Sequence, residues 1–165
     1  MHAFAVPFWI SRSEMPELNA VGTVTEEERV DGILRLEGES LVLDIEVTQS
    51  TTTLDGMGQH VEKEHLGARE LRIPFDELVE LSVRRGWWFP CLEIRTSRLE
   101  TLRGLTGAKQ GVVRLRVSWP NRRAARTLVA ELEIARADLA LARAERLEGA
   151  NERSLPSDQV DGGDA

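Results

Sequence analysis

The sequence predicts an α+β fold that is mainly β, with an antiparallel sheet of about seven strands followed by one long C-terminal helix. Between about residues 30 and 117, apolar residues recur with a period of two, which is typical of strands that turn one face to a core. The connections in this region are too short for crossover helices, which favours antiparallel pairing. After residue 120 the period changes and no Gly or Pro occurs until Gly149, which predicts a helix.

The strands are predicted one after another along the chain. Residues 41–47 alternate most regularly, and they form a predicted hairpin with residues 32–36 across the Glu37–Ser40 connection. Residues 50–58 are interpreted as a loop, and residues 60–65 as a solvated connection between the second and third predicted strands. Five further strands are predicted at residues 69–73, 79–83, 91–95, 99–105 and 112–117, with the weakest alternation in the fourth of these segments.

The helix is predicted over residues 121–148, with Asn121 as its N-cap and Gly149 ending it. One apolar stripe is expected to pack on the sheet and consists of Leu128, Leu132, Ala135, Leu139 and Ala142. A second, offset stripe consists of Ala130, Ile134, Ala137, Leu141 and Ala144. A helix of about 27 residues spans about 40 Å, more than a small sheet covers, so its distal part is expected to project. The second stripe then either pairs with the same helix of another subunit or stays in water. The second alternative is open because Ala favours a helix and exposing its small side chain to water costs little free energy.

The chain of 165 residues fits one domain. Residues 1–20 are set apart as an N-terminal apolar segment, residues 21–148 form the domain, and residues 149–165 form an acidic tail that is expected to be disordered. Cys91 is the only cysteine, which excludes an intrachain disulfide. No apolar run reaches the roughly 18–20 residues of a membrane-spanning helix, and no signal-peptide cleavage site is recognised, so we expect a cytoplasmic protein.

Two segments carry a resemblance to a known family. Residues 71–78, with the sequence LRIPFDEL, resemble the "IPxDEI" element that ends the third strand of bacterial pleckstrin-homology-like (PH-like) domains. The Arg84–Trp88 segment followed by residues 92–95 resembles the hairpin between their fourth and fifth strands. The resemblance covers about residues 21–148. It implies a bent antiparallel barrel of about seven strands, capped at one end by the C-terminal helix.

The resemblance does not imply tight phosphoinositide binding. Members that bind phosphoinositides place Lys and Arg in the loop between their first two strands. The corresponding loop of this chain is interpreted as Glu37–Gly38–Glu39, whose carboxylates repel an inositol phosphate.

The formal net charge of -7 is divided unevenly along the chain. Between Glu26 and Glu64 there are 11 acidic residues and 3 basic ones, whereas between Arg84 and Arg126 there are 11 basic residues and 2 acidic ones. If these segments lie on opposite sides, the protein has an acidic and a basic face, suited to anionic partners or to head-to-tail self-association. Alternatively, cross-strand pairs mix the signs. The acidic total makes nucleic acid an unexpected partner.

The short cluster of Arg84, Arg85, Trp87 and Trp88 is the clearest candidate for a contact surface. Neighbouring strand residues point to opposite faces, so only one of the two tryptophans can enter the core. An exposed Trp beside Arg is typical of interface anchors and also suits an interfacial membrane contact. The alternative is that the second Trp packs under the N-terminal Phe4–Trp9 segment.

No motif indicates catalysis, a cofactor or a structural metal. The segment from His60 to His65 contains four side chains that can ligate metals, but it matches neither H-E-x-x-H nor H-x-x-E-H. Cys91 lies in a predicted strand, where a small buried hydrophobe is the ordinary expectation. No nucleophile elbow and no phosphate-binding loop occurs. We therefore predict no catalytic residue, no metal ligand and no cofactor.

The sequence thus predicts a non-enzymatic binding or scaffold module that acts through protein contacts or self-association. The expected partner surfaces are Arg84, Arg85, Trp87, Trp88 and the distal helix with Ile134 and Leu141. The partner is a protein of unknown identity or a second copy of the chain. Weak binding to anionic lipid through the Arg-rich half is the alternative, and a metal-dependent enzyme around His60 and His65 is a distant one.

Overall fold

The computed structural model describes residues 5–13, 17–19, 22–56, 58–86 and 88–153. Within these ranges the chain forms eight strands and one α-helix. The strands are β1 (Ala5–Ser13), β2 (Glu17–Asn19), β3 (Gly22–Glu37), β4 (Ser40–Asp55), β5 (Gly58–Pro74), β6 (Leu78–Arg85), β7 (Pro90–Thr96) and β8 (Val112–Arg116). The α-helix is α1 (Arg122–Arg153), and a short 3₁₀ helix at Leu99–Leu102 lies between β7 and β8.

The strands pair in the order β5-β4-β3-β1-β8-β7-β6, with β2 added alongside β3. Every pairing is antiparallel. This confirms the mainly-β α+β class with one C-terminal helix, arranged as in PH-like folds. The sheet is not closed into the expected barrel, because β5 and β6 are its two ends and do not pair. The chain between them turns into the core instead: the Phe75 side chain is buried and its N–H donates to the Glu39 carbonyl at 3.0 Å.

The N-terminal segment is part of the sheet, which the sequence analysis did not predict. β1 lies between β3 and β8, and its Val6, Phe8 and Ile10 side chains alternate into the core. The Glu37–Ser40 turn therefore joins the second and third long strands. Its interpretation as the loop between the first two strands is wrong, since that connection runs through residues 14–21, of which the structure describes only β2.

Residues 50–58, predicted as a loop, and residues 60–65, predicted as a solvated connection, lie mostly in strands β4 and β5. β3, β4 and β5 contain 16, 16 and 17 residues and stay paired over nearly their whole length. Many Thr and Val residues in this region have β-branched side chains that suit an extended backbone, and the ladder satisfies the backbone polar groups. We call residues 22–29, 48–55 and 58–66 the β arm. They lie outside the buried core, so pairing and not burial extends these strands.

The weakest predicted strand, residues 99–105, is instead the 3₁₀ helix and a turn. Its leucines are spaced by three residues, and Leu102 and Leu105 are both buried. A spacing of three places side chains on one side of a 3₁₀ turn, whereas in a strand it would place them on opposite faces. Gly104 and Gly107 follow with φ of 76° and 79°, which a strand does not adopt.

Helix α1 packs on the sheet as predicted, with Ala125, Leu128 and Leu132 fully buried. It continues past Gly149 to Arg153, so the predicted end is wrong. A single Gly lowers helix propensity by only about 1 kcal/mol and does not terminate a helix by itself. The remainder of the predicted acidic tail, residues 154–165, lies outside the described residues. No helix in the described part of the chain is both long and apolar enough to cross a bilayer.

Candidate protein-interaction surface

The β6–β7 hairpin carries the candidate cluster and ends in exposed aromatic side chains. Trp88 is 75% exposed and Phe89 is 41% exposed. The turn is tight, because a Cβ at Gly86 would collide with the Phe89 carbonyl oxygen. Arg84 and Arg85 end β6 on opposite sides of the strand, so the structure does not bring these two together on one face. Trp87 lies outside the described residues.

Other aromatic residues, distant in sequence, lie against this hairpin. The rings of Trp9 and Phe89 meet edge to face, with centroids 5.3 Å apart and an interplanar angle of 78°. Trp119, which is 50% exposed, donates its indole N–H to the Trp88 carbonyl oxygen at 3.0 Å. The Arg122 guanidinium lies 5.6 Å from the centroid of the Trp119 ring. Trp9 of the N-terminal segment thus packs against one side of Phe89, which stays 41% exposed, whereas the sequence predicts such a contact for a tryptophan.

Beside the aromatic residues, the outer face of β6, β7 and β8 carries a set of arginines. In register, Arg84 lies opposite Cys91 and Cys91 opposite Arg116, while Arg114 lies opposite Glu93. The residues that alternate with them, such as Leu92, Ile94, Val113 and Leu115, face the core. Arg95 is on the same outer face as Glu93, one pair further along β7. We call Trp9, Trp88, Phe89, Trp119, Arg84, Arg95, Arg114, Arg116 and Arg122 the aromatic–arginine surface.

Glu93 lies at the centre of these arginines and holds them in place. Its side chain is only 5% exposed although it points outward. Glu93 accepts a hydrogen bond from Nε of Arg114 at 2.9 Å, and Nη2 of Arg84 and Nη2 of Arg95 each lie 3.7 Å from its Oε1. The three arginines remain 73%, 55% and 48% exposed. One carboxylate thus orients three cations that still face solvent.

At the other end of the strand order, the charges around Arg35 compensate one another locally. Arg35 bonds Asp44 at 2.9 Å, Glu70 at 3.2 Å and also Glu37, across β3, β4 and β5. The hydrogen bond from Arg35, helped by the charge of Arg72, holds the pKa of Glu37 below its ordinary value. The structure therefore contains both arrangements that the sequence left open: mixed signs on β3–β5 and an excess of arginine on β6–β8.

A groove of about 590 Å³ lies on the outer face of β3–β5. Its carboxylates include Asp31, Asp44, Glu46 and Glu70. Each of them lies beside a basic side chain. Asp31 pairs with Arg29, Asp44 with Arg35, Glu46 with His65, and Glu70 with both Arg35 and Arg72. Arginines thus balance Asp31, Asp44 and Glu70, whereas Glu46 has an imidazole as its partner, so most but not all of the groove's negative charge is paired.

The candidate residues of the distal helix lie elsewhere. Ile134 and Leu141 are 62% and 61% exposed, on the side of α1 opposite the buried Leu128 and Leu132. Counting from Arg122 at about 1.5 Å per residue, they lie about 18 Å and 29 Å along the helix axis. The predicted partner residues therefore form two separate surfaces, one at the hairpin and one on the helix.

The possible ligands and nucleophiles do not converge. His60 and His65 point to opposite faces of β5, where His60 lies 3.4 Å from Glu62 and His65 lies 3.4 Å from Glu46. Among the described residues there is no group of three or more His, Cys, Asp or Glu that could hold a metal ion. Cys91 is half-buried, and burial raises the pKa of its thiol more than the charges of Arg116 and Arg114 lower it.

No family model, curated protein or solved structure matches the chain. Sequence reasoning found Arg84 and Trp88 but missed Trp9, Phe89, Trp119 and Arg122 as members of the same surface. The outward position of Arg114 and Arg116 could have been derived from their alternation with Val113, Leu115 and Val117. Nothing in the sequence indicates that Trp119 meets the β6–β7 hairpin, since 30 residues separate Trp119 from Phe89.

Proposed function

We propose that this chain is a non-enzymatic, cytoplasmic binding module of the bacterial PH-like type, which binds an acidic segment of a partner protein through the aromatic–arginine surface. The observation that carries the proposal is the exposure of Trp88, Trp119 and Phe89 beside outward arginines oriented by Glu93. Trp and Arg dominate the binding energy of protein interfaces, because they bury a large area and lose little side-chain entropy for each contact.

The chemistry of the surface favours carboxylates as the complementary groups. Four outward arginines, at positions 84, 95, 114 and 116, stand against two carboxylates, Glu80 and Glu93. A guanidinium can bind a carboxylate through two parallel hydrogen bonds, and the arginines around Glu93 keep exposed N–H groups for this purpose. An extended acidic segment with an occasional apolar side chain fits both components of the surface.

Binding to an anionic membrane is the second candidate, because exposed Trp beside Arg also suits a lipid interface. Each basic residue near an anionic bilayer contributes about 1 kcal/mol, and lipid-binding clusters usually contain about four to eight of them. Here the surface has five arginines including Arg122, and two of their charges are balanced by Glu80 and Glu93. This balance favours a partner with placed carboxylates over a diffuse negative surface.

Two observations support a binding role over catalysis. The raised pKa of Cys91 disfavours the thiolate that a cysteine nucleophile requires. His60 and His65 lie on opposite faces of one strand and cannot act on the same ion or substrate. The chain thus offers a surface that suits recognition better than chemistry.

Antiparallel pairing of α1 with the same helix of a second copy is disfavoured by its charges. The exposed stripe with Ile134 and Leu141 is flanked on one side by Glu131, Asp138 and Glu145, which recur every seven residues. In an antiparallel pair of identical helices these carboxylates would face one another, and like charges at such positions destabilise the pair.

The proposal is tested by fluorescence anisotropy with a labelled ten-residue peptide of alternating Glu and Leu. We expect binding that weakens as salt rises, and no binding of the matching Lys–Leu peptide. Trp88→Ala should weaken binding about tenfold, the range of an interface anchor. The double variant Arg84→Glu with Arg116→Glu should abolish it.

The matched control is Arg103→Glu with Arg146→Glu, which makes the same charge change at two exposed arginines away from the surface. If the control and the surface variant lose binding equally, net charge and not the surface explains the result, and the proposal fails. Co-sedimentation with phosphatidylserine vesicles but no peptide binding would replace the protein partner with lipid.

A further inference from the structure

We infer that one occupant of the aromatic–arginine surface is the β arm of a second copy of this chain, so that copies join head to tail. This inference rests on the proposed function, because it assigns a partner to the same surface. It follows from the position and spacing of charges at two places of the molecule that carry opposite signs.

One side of the β arm is acidic. Glu26 of β3, Thr51 of β4 and Glu62 of β5 lie in register, and Glu64 is two residues further along β5 on the same side. Glu26, Glu62 and Glu64 are exposed. Lys63 points to the opposite side of the arm. Among the described residues, two basic groups share the acidic side: Arg12 of β1, in register with Glu28, and His60, whose Nε2 lies 3.4 Å from Glu62. The four carboxylates of Glu26, Glu28, Glu62 and Glu64 outnumber these two groups. The neighbouring Glu28 accepts a hydrogen bond from the Thr106 hydroxyl and is already engaged.

The spacing of these carboxylates repeats that of the arginines. Glu62 and Glu64 are separated by two residues of one strand, about 6.8 Å, as are Arg114 and Arg116. Glu26 lies two strands away from Glu62, about 9.6 Å, just as Arg84 lies two strands away from Arg116. Both sets follow the regular residue and strand spacings of a β-sheet. The long Arg side chains can shift to bring their guanidinium groups onto carboxylates that are not directly opposite.

The two sets are not paired within one molecule. In the described part of the chain, no ion pair joins Glu26, Glu62 or Glu64 to an arginine of β6, β7 or β8. The acidic set is on β3 and β5 and the basic set on β8 and β6, which the strand order places in different halves of the sheet. A contact between them in two copies is heterologous, since different patches meet, and it can continue into a chain of subunits.

The test is sedimentation velocity of the full chain over a concentration series at 20 mM and 300 mM NaCl. At low salt we expect the average sedimentation coefficient to rise with protein concentration. At high salt it should stay at the value of the monomer, because exposed ion pairs are screened.

Charge reversal at each end identifies the contact. The arm variant, Glu62→Arg with Glu64→Arg, and the surface variant, Arg84→Glu with Arg116→Glu, should each stay monomeric at low salt. An equimolar mixture of the two should associate again, since the reversed arm of one variant meets the reversed surface of the other, and the unmodified arm of one meets the unmodified surface of the other. The surface variant keeps Arg114, the closest partner of Glu93, and Arg84→Gln with Arg116→Gln serves as its milder form. Circular dichroism verifies that all variants are folded.

A control with the same charge change as the arm variant is Glu145→Arg with Glu148→Arg on the distal helix, which should associate like the unmodified chain. The inference is overturned if the unmodified chain remains a monomer at low salt, or if the mixture of reversed variants does not associate. If the unmodified chain is a monomer but binds the acidic peptide, the self-contact alone is wrong and the proposed function stands. If it binds neither, both are wrong.

Discussion

Replacing Glu93 by glutamine is expected to lower the stability of the protein and to raise its affinity for an acidic peptide at the same time. Glu93 is nearly buried and serves three arginines, of which Arg114 is closest at 2.9 Å. The substitution keeps the size of the side chain but removes the charge that orients these arginines. It also adds one unit of positive charge to the aromatic–arginine surface.

The size of the stability loss follows from the exposure of the partners. Breaking a fully buried ion pair costs about 3–5 kcal/mol, but here the arginines are 73%, 55% and 48% exposed and return to water. Exchanging a hydrogen bond to a charged group for a neutral one costs about 1–2 kcal/mol. For a chain of this length that lowers Tm by about 2–8 °C.

The expected change in binding free energy is smaller than the loss of folding stability. One removed charge at about 8 Å from a peptide carboxylate, in a medium close to water, changes the binding free energy by about 0.5 kcal/mol, or about twofold in Kd. Thermal unfolding followed by circular dichroism and anisotropy with the Glu–Leu peptide measure the two effects on the same sample.

Glu80→Gln is the matched control, because it removes the same charge from the same face. Its carboxylate is more exposed than that of Glu93 and, among the described residues, bonds Arg84 alone, at 3.3 Å. We expect a similar gain in affinity with a stability loss below about 0.5 kcal/mol. An unchanged or higher Tm in Glu93→Gln would refute the role assigned to Glu93, and a weaker affinity for the peptide would contradict the expected gain from the removed charge.

Three further predictions concern the sheet and the helix. Leu132→Ala should lower the free energy of unfolding by about 2–5 kcal/mol in urea titration, because this side chain is fully buried. Gly32→Ala should cost about 1–3 kcal/mol in the same assay, because its Cβ would lie 2.5 Å from the Asp44 carbonyl oxygen. The hydrogen bond from Arg35 keeps the pKa of Glu37 below 4.5, so Glu37 stabilises the fold above that pH and loses this effect as the pH falls through its folded-state pKa. The stability difference between the unmodified chain and Glu37→Gln should therefore shrink in urea titrations between pH 5 and pH 3, and a difference that grows would contradict the assignment.

The helix and the alternating strands could be predicted from the sequence because their signals are local. Leu128 and Leu132 fall on one side of any helix with 3.6 residues per turn, and the structure buries both. The alternation of Leu41, Leu43 and Ile45 likewise requires a strand with one buried face, and all three are in the core.

The segments that were predicted wrongly depend on pairing with distant residues. β1 is a short apolar run that becomes a strand because β3 and β8 lie on either side of it. The β arm has polar side chains on both sides, so it has no burial pattern, and only the ladder between β3, β4 and β5 makes it extended. A leucine every third residue in 99–105 could be interpreted as a weak strand until the structure placed Leu102 and Leu105 in the core.

The sequence by itself determined the fold class, the packed side of α1 and the division of charge along the chain, because periodicity and composition are properties of neighbouring residues. Only the tertiary structure decided what these charges do. Strand order gathers Trp9, Trp88, Phe89 and Trp119 at one hairpin, and register places Glu93 among three arginines while it separates Arg84 from Arg85. A surface is formed by residues that meet across strands, and which strands meet depends on the packing of the whole sheet.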